Sequence, residues 1–97
     1  MGIIDITTFS LAAGVADEEF RLADAAMQTE HIYQQPGIVR RTTARGDDGR
    51  WLVVTLWASR PDAEAADAAA SSDEVATRLT GLIDVATLTS ARHETLD

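Results

Sequence analysis

Ninety-seven residues with a net charge of −8, no cysteine and 45% apolar content set the first limits. They fit one domain, residues 1–97, with a modest core, and they exclude a disulfide framework or a thiolate metal site. All eight cations are arginine, and so acidic a chain repels phosphate backbones and anionic lipid, which argues against nucleic-acid and membrane partners. No apolar run reaches about 18 residues, and the Met1–Asp5 start lacks a basic region and a cleavage pattern, so a cytoplasmic protein is expected.

In chain order, residues 3–11 (IIDITTFSL) are rich in β-branched residues and predict a first strand. Asp17-Glu18-Glu19 opens a first helix, with Asp17 as N-cap candidate and acidic residues suited to the positive helix end. Pro36-Gly37 stops that helix near Gln35. Residues 38–45 and 51–57 read as a second and third strand joined at Gly46-Asp47-Asp48-Gly49. Ser59-Arg60-Pro61-Asp62 carries a capping box for a second, alanine-rich helix. Ser71 and Glu74 repeat that spacing, predicting a further helical segment to Thr80 with Val75, Leu79 and Leu82 inward. Residues 85–95 complete the set as a fourth strand. The order β-α-β-β-α-β is the α+β, ferredoxin-like arrangement.

The third strand bears on assembly. Alternation puts Trp51, Val53, Thr55 and Trp57 on one face and Leu52, Val54 and Leu56 on the other, and both faces are apolar. Two helices cover one face of a four-stranded sheet. A second copy is the simplest cover for the other, since leaving three large aliphatics in water forfeits roughly 1.5–3 kcal/mol each.

The segments Gln28-Thr29-Glu30, Gln34-Gln35-Pro36-Gly37, Arg40-Arg41, Asp48-Gly49-Arg50-Trp51 and Leu56-Trp57-Ala58-Ser59 resemble the dimeric α/β-barrel superfamily. They are most similar to its antibiotic biosynthesis monooxygenase-like branch. The resemblance implies a homodimer whose two sheets close a barrel. It also implies a cofactor-independent monooxygenase acting on a flat phenolic or polyketide-like molecule between helices and sheet. Trp57, with Ala58-Ser59 after it, matches the tryptophan that lines the substrate pocket in such oxygenases. Where the polyketide oxygenases place an asparagine and a tyrosine, this chain has Val53 and Ala63. Where haem-degrading members place an asparagine and an iron-ligating histidine, it has Thr7 and a second helix without histidine, so no haem, and no other cofactor, is implied. The alternative is a non-catalytic dimeric module that binds a small ligand or another protein.

Several residues are candidates for chemistry. At about 100° per residue, Phe20, Leu22, Ala23, Ala26, Met27 and Tyr33 form an apolar stripe with Glu30 near its middle. A carboxylate there is desolvated, and a desolvated carboxylate in a cleft is a general-base candidate. The plainer reading is a structural ion pair, or a side chain that reaches past the alanines to water. Arg40 is its partner, or an anchor for a ligand oxygen beside Thr55, if the hairpin loop has two or four residues; a loop of three or five turns Arg41 inward instead. His31, at the stripe's edge, is a proton shuttle or a half-exposed helix residue. Tyr33, Trp51 and Trp57 line an aromatic pocket or simply fill the core. His93 has no partner at metal-binding spacing, and Glu30 and His31 point about 100° apart on a helix, so no metal site is expected.

Overall fold

The computed structural model describes all residues, Met1–Asp97. Strand β1 (Ile3–Leu11) leads to helix α1 (Asp17–Glu30) and a single 3-10 turn, Ile32–Gln34. The hairpin β2 (Ile38–Arg45) and β3 (Trp51–Trp57) follows, then α2 (Arg60–Ala70), α3 (Glu74–Gly81) and β4 (Ile83–Glu94). The strands pair antiparallel in the order β2-β3-β1-β4. Each helical crossover therefore skips one strand: β3 lies between β1 and β2, and β1 lies between β3 and β4. This is the ferredoxin-like α+β fold. No helix is long and apolar enough to cross a membrane.

The caps show how the sequence sets the helix starts. Ser59 is the N-cap of α2: its Oγ accepts from the Asp62 N–H at 3.3 Å and donates to Asp62 Oδ2 at 2.8 Å. The Asp62 side chain also occupies the space that a side chain on Gly37 would need. Gly37 has φ +81, so a side chain would be disfavoured by both space and backbone. The other two starts differ from expectation. Ala16, not Asp17, holds the N-cap position of α1 and makes no side-chain cap, while Asp17 begins the helix. Asp73, not Ser71, caps α3 by accepting the N–H groups of Val75 and Ala76 at 2.9 and 3.0 Å. The aspartate reaches two free donors of the first turn, whereas Ser71 donates to the Ala68 carbonyl at the end of α2.

Helix α1 ends at Glu30, five residues before the expected stop. His31 leaves helical geometry with φ −126 and ψ −65, and Ile32 then plugs into the core. The face that α1 turns inward is Phe20, Ala23, Met27 and His31, flanked by Asp24 and Gln28. Leu22, 66% exposed, faces water.

The hairpin decides which arginine goes under the helices. Arg45 pairs with Trp51 across a five-residue loop, so Arg41 and Thr43 share the covered face with Thr55 and Val53. A bulge at Val39 re-phases the strand, so Ile38, opposite Trp57, also points inward. Beneath the helices the sheet presents Ile3, Asp5, Thr7 and Phe9 from β1 opposite Trp57, Thr55, Val53 and Trp51 from β3. Its other face carries Ile4, Ile6, Leu52, Val54 and Leu56, with no element of the chain over it.

Candidate functional site

Side-chain size along the covered face creates a cavity. At one end Phe9, Phe20 and Trp51 pack together, the Phe20 ring 5.6 Å from Phe9 and 4.6 Å from Trp51. At the other, Trp57 packs with Ile3, Ile32, Ala63 and Ala66. Between them the two central strands carry only Asp5, Thr7, Val53 and Thr55, and α2 contributes Ala66, Asp67 and Ala70. Short side chains above and below leave a cavity of about 450 Å³, within the size range of small-molecule sites. Trp57, Met27, His31 and Leu79 also form part of its walls. A second depression between α2 and α3 shares Met27, Asp67, Ala70 and Leu79 with it.

The charged groups lining the cavity are paired. Arg41, 6% exposed, places Nη2 2.6 Å from Asp24 Oδ1 and Nη1 3.4 Å from Gln28 Oε1. Arg92 on β4 donates twice to Asp5, at 2.7 and 2.9 Å, and to Asp67 of α2 at 2.8 Å. The Asp5 hydrogen bonds, reinforced by Asp67 and opposed by burial, raise the Arg92 pKa above its ordinary value. Thr7 shares a 3.2 Å hydrogen bond with Ser90.

His31 is the most buried of the polar residues, at 2% exposure. Its Nδ1 lies 3.3 Å from Asp73 Oδ2, an ion pair when the ring is protonated and a hydrogen bond when it is neutral. Its Nε2 has no partner. The N–H of Ala76, helped by those of Val75 and by His31 against the effect of burial, holds the Asp73 carboxyl below the ordinary carboxylate range.

The cavity gathers Thr7, His31, Thr55 and Trp57 from among the expected site residues, and leaves Glu30, Arg40, Tyr33 and Trp51 outside. Glu30 is exposed and lines a shallow outer groove with Ser72, Glu74 and Arg78; α1 ends there, so the helical stripe no longer runs on to Tyr33. Arg40 is exposed on the uncovered face, its Nε 3.3 Å from Thr42 Oγ1, because the five-residue loop sets the opposite parity. Tyr33 is 41% exposed and serves the free edge of β2, where its hydroxyl accepts the Arg41 N–H at 2.9 Å. Trp51 belongs to the packed end. His31 is buried where a half-exposed position was the plainer expectation.

No protein-family model matches the sequence. None of the curated proteins matches it either. Solved structures do. A variant of SnoaB, a cofactor-independent oxygenase from Streptomyces nogalater, superposes with a TM-score of 0.81 at 21% identity, over 99% of this chain and 94% of that one. A candidate antibiotic biosynthesis monooxygenase from Caulobacter crescentus gives 0.77 at 12% identity, covering 99% and 91% of the two chains. Another from Chloroflexus aurantiacus gives 0.75 at 14%, covering 100% and 95%.

The chain has the antibiotic biosynthesis monooxygenase fold.

Identities this low carry the backbone and not the site residues. Within the fold, Val53 adds an apolar patch to the cavity wall and Ala63, on the inward face of α2, is fully buried, so neither supplies a polar group. The Asp24–Arg41 pair and the His31–Asp73 pair were missed from sequence. Asp24, Gln28 and His31 recur at helical spacing beside Phe20, Ala23 and Met27, which is the signal that could have found them.

Proposed function

We propose that the chain is a cofactor-independent oxygenase acting on a flat phenolic or anthrone-like molecule held in the cavity beneath the helices. The observation that carries this is the cavity itself: about 450 Å³, walled by an indole, with its arginines already neutralised by carboxylates. Such a site favours a neutral aromatic ligand over an anion, because an anion would have to compete with Asp24, Asp5 and Asp67 for the guanidinium groups. In the reaction a C–H proton of the substrate is removed and the electron pair left on carbon passes to dioxygen. A C–O bond forms, the O–O bond breaks as water leaves, and the carbon becomes a carbonyl. Dioxygen is the oxidant and no metal or organic cofactor enters.

Oxygen uptake with 1,8-dihydroxyanthrone tests this. Saturable uptake above the buffer rate, with one quinone formed per dioxygen consumed, is expected. Quenching of tryptophan fluorescence without faster uptake would favour the second reading, a binding module, which the apolar Val53 and Ala63 support.

We further infer that two copies pair through Ile4, Ile6, Leu52, Val54 and Leu56, the aliphatics that no element of the chain covers. Light scattering should report twice 10.4 kDa at micromolar concentration. Val54→Asp would put an unpaired carboxylate from each copy into that interface and should yield monomer or unfolded chain. A wild-type monomer would contradict the pairing.

A further inference from the structure

We propose that His31, oriented by Asp73, is the proton acceptor of the cavity. This rests on reading the cavity as a substrate site, and it names the group that reading leaves open. Buried polar atoms in folded proteins almost always have a partner. Two side-chain atoms here do not: Thr43 Oγ1, on a residue outside the cavity wall, and His31 Nε2, on a residue that lines it.

The surroundings fix which nitrogen is free. Two groups approach Nδ1: Asp73 Oδ2 at 3.3 Å and Gln35 Nε2 at 3.5 Å. Gln35 Nε2 gives one N–H to the His31 carbonyl at 3.1 Å and holds its second at 3.5 Å from Nδ1. The Asp73 carboxylate is nearer and, being charged, is the stronger partner for the ring. Nδ1 therefore carries the proton and points it at Asp73 Oδ2. Nε2, across the ring, keeps a bare lone pair. Asp73 is itself held, because its Oδ1 accepts the N–H groups of Val75 and Ala76 and only Oδ2 is left for the imidazole. His31, at the C-cap of α1, thus lies beside Asp73, the N-cap of α3.

The remaining charges around the cavity do not compete. Arg41 of β2 is bound to Asp24 of α1, and Arg92 of β4 to Asp5 of β1 and Asp67 of α2. A substrate proton passing to Nε2 creates an imidazolium facing the Asp73 carboxylate, while the electron pair stays on the substrate for dioxygen. The proton then leaves with the oxygen that departs as water. His31 would be a catalytic residue in this scheme and Asp73 a positioning residue.

Anaerobic binding of 1,8-dihydroxyanthrone separates the two claims, because quenching of tryptophan fluorescence reads occupancy and the visible band of the anion reads proton removal. The wild type should show both, at a pH where the free compound is neutral. His31→Gln should keep the quenching within about twofold, lose the band, and lower oxygen uptake by about a hundredfold or more. Asp73→Asn retains the cap of α3 but turns an amide N–H toward Nδ1, which moves the ring proton to Nε2 and should also abolish the band. The tautomer is readable without substitution: nitrogen NMR of the wild type should show Nδ1–H. An Nε2–H tautomer, or an undiminished anion band in either variant, would overturn the role of His31. No quenching in the wild type would instead remove the substrate-site reading.

Discussion

The two ends of the layer between sheet and helices are built differently. At one end Phe9, Phe20, Trp51 and Leu79 fill the space with large apolar side chains. At the other, Trp57 meets Ala63 and Ala66, and toward the middle the sheet falls to Asp5, Thr7, Val53 and Thr55. Met27 packs against both groups. The first end holds the fold together; the second leaves room for a ligand and gathers the paired charges and His31. A domain of this size cannot do both in one place, because filling a cavity and keeping it open make opposite demands on side-chain volume.

Truncation at the packed end should have the largest effect. Phe20 is fully buried between two aromatic rings, and Phe20→Ala should cost about 3–5 kcal/mol in chemical denaturation. A loss under about 1 kcal/mol would erase the distinction between the ends. In the middle, Arg41→Met strands the Asp24 carboxylate, whose side chain is only 13% exposed, and should cost about 3 kcal/mol. Replacing Asp24 by Leu in the same chain should recover most of that, because the unpaired charge is then gone. At the open end the sign should change. Ala70→Leu, at the cavity wall, should leave stability level or raise it by about 0.5–2 kcal/mol while abolishing ligand binding. A destabilised Ala70→Leu would mean there is no room there.

The smallest effect is electrostatic. The folded-state pKa of Asp73 lies below its ordinary 3.8. Its contribution is therefore fully present above that value and is lost as pH falls through the lower folded value. Thermal melts of the wild type and Asp73→Asn should converge as the pH drops through that window, and parallel curves would show that Asp73 contributes nothing there.

Much of the fold was legible because its signals are local. The β-branched runs, the glycine-rich hairpin and the Ser59–Asp62 box each act within a few residues. Features that depend on where a regular element stops were not legible. Periodicity carried α1 past Glu30 toward Pro36. Counting Leu22 and Tyr33 into the apolar stripe also shifted its centre to Glu30, whereas the face that turns inward runs through Phe20, Ala23, Met27 and His31. One residue of loop length decided between Arg40 and Arg41, and composition does not set that parity. The Ser71–Glu74 spacing pointed to Ser71 as the cap of α3, and the geometry of the turn gives that place to Asp73 instead. Trp57 was placed from its resemblance to oxygenase sequences, and its burial against Ala63 and Ala66 puts its ring in the cavity wall.

The central claim is that a flat aromatic molecule binds beneath the helices and not on the uncovered sheet face. The most direct measurement is a crystal structure of the protein grown anaerobically with 1,8-dihydroxyanthrone. The account predicts density between Trp57 and His31, in contact with Thr55 and closed off by Ala66 and Ala70. Ligand seated over Ile4, Val54 and Leu56, or a cavity filled by rearranged side chains with no ligand in it, would contradict the account.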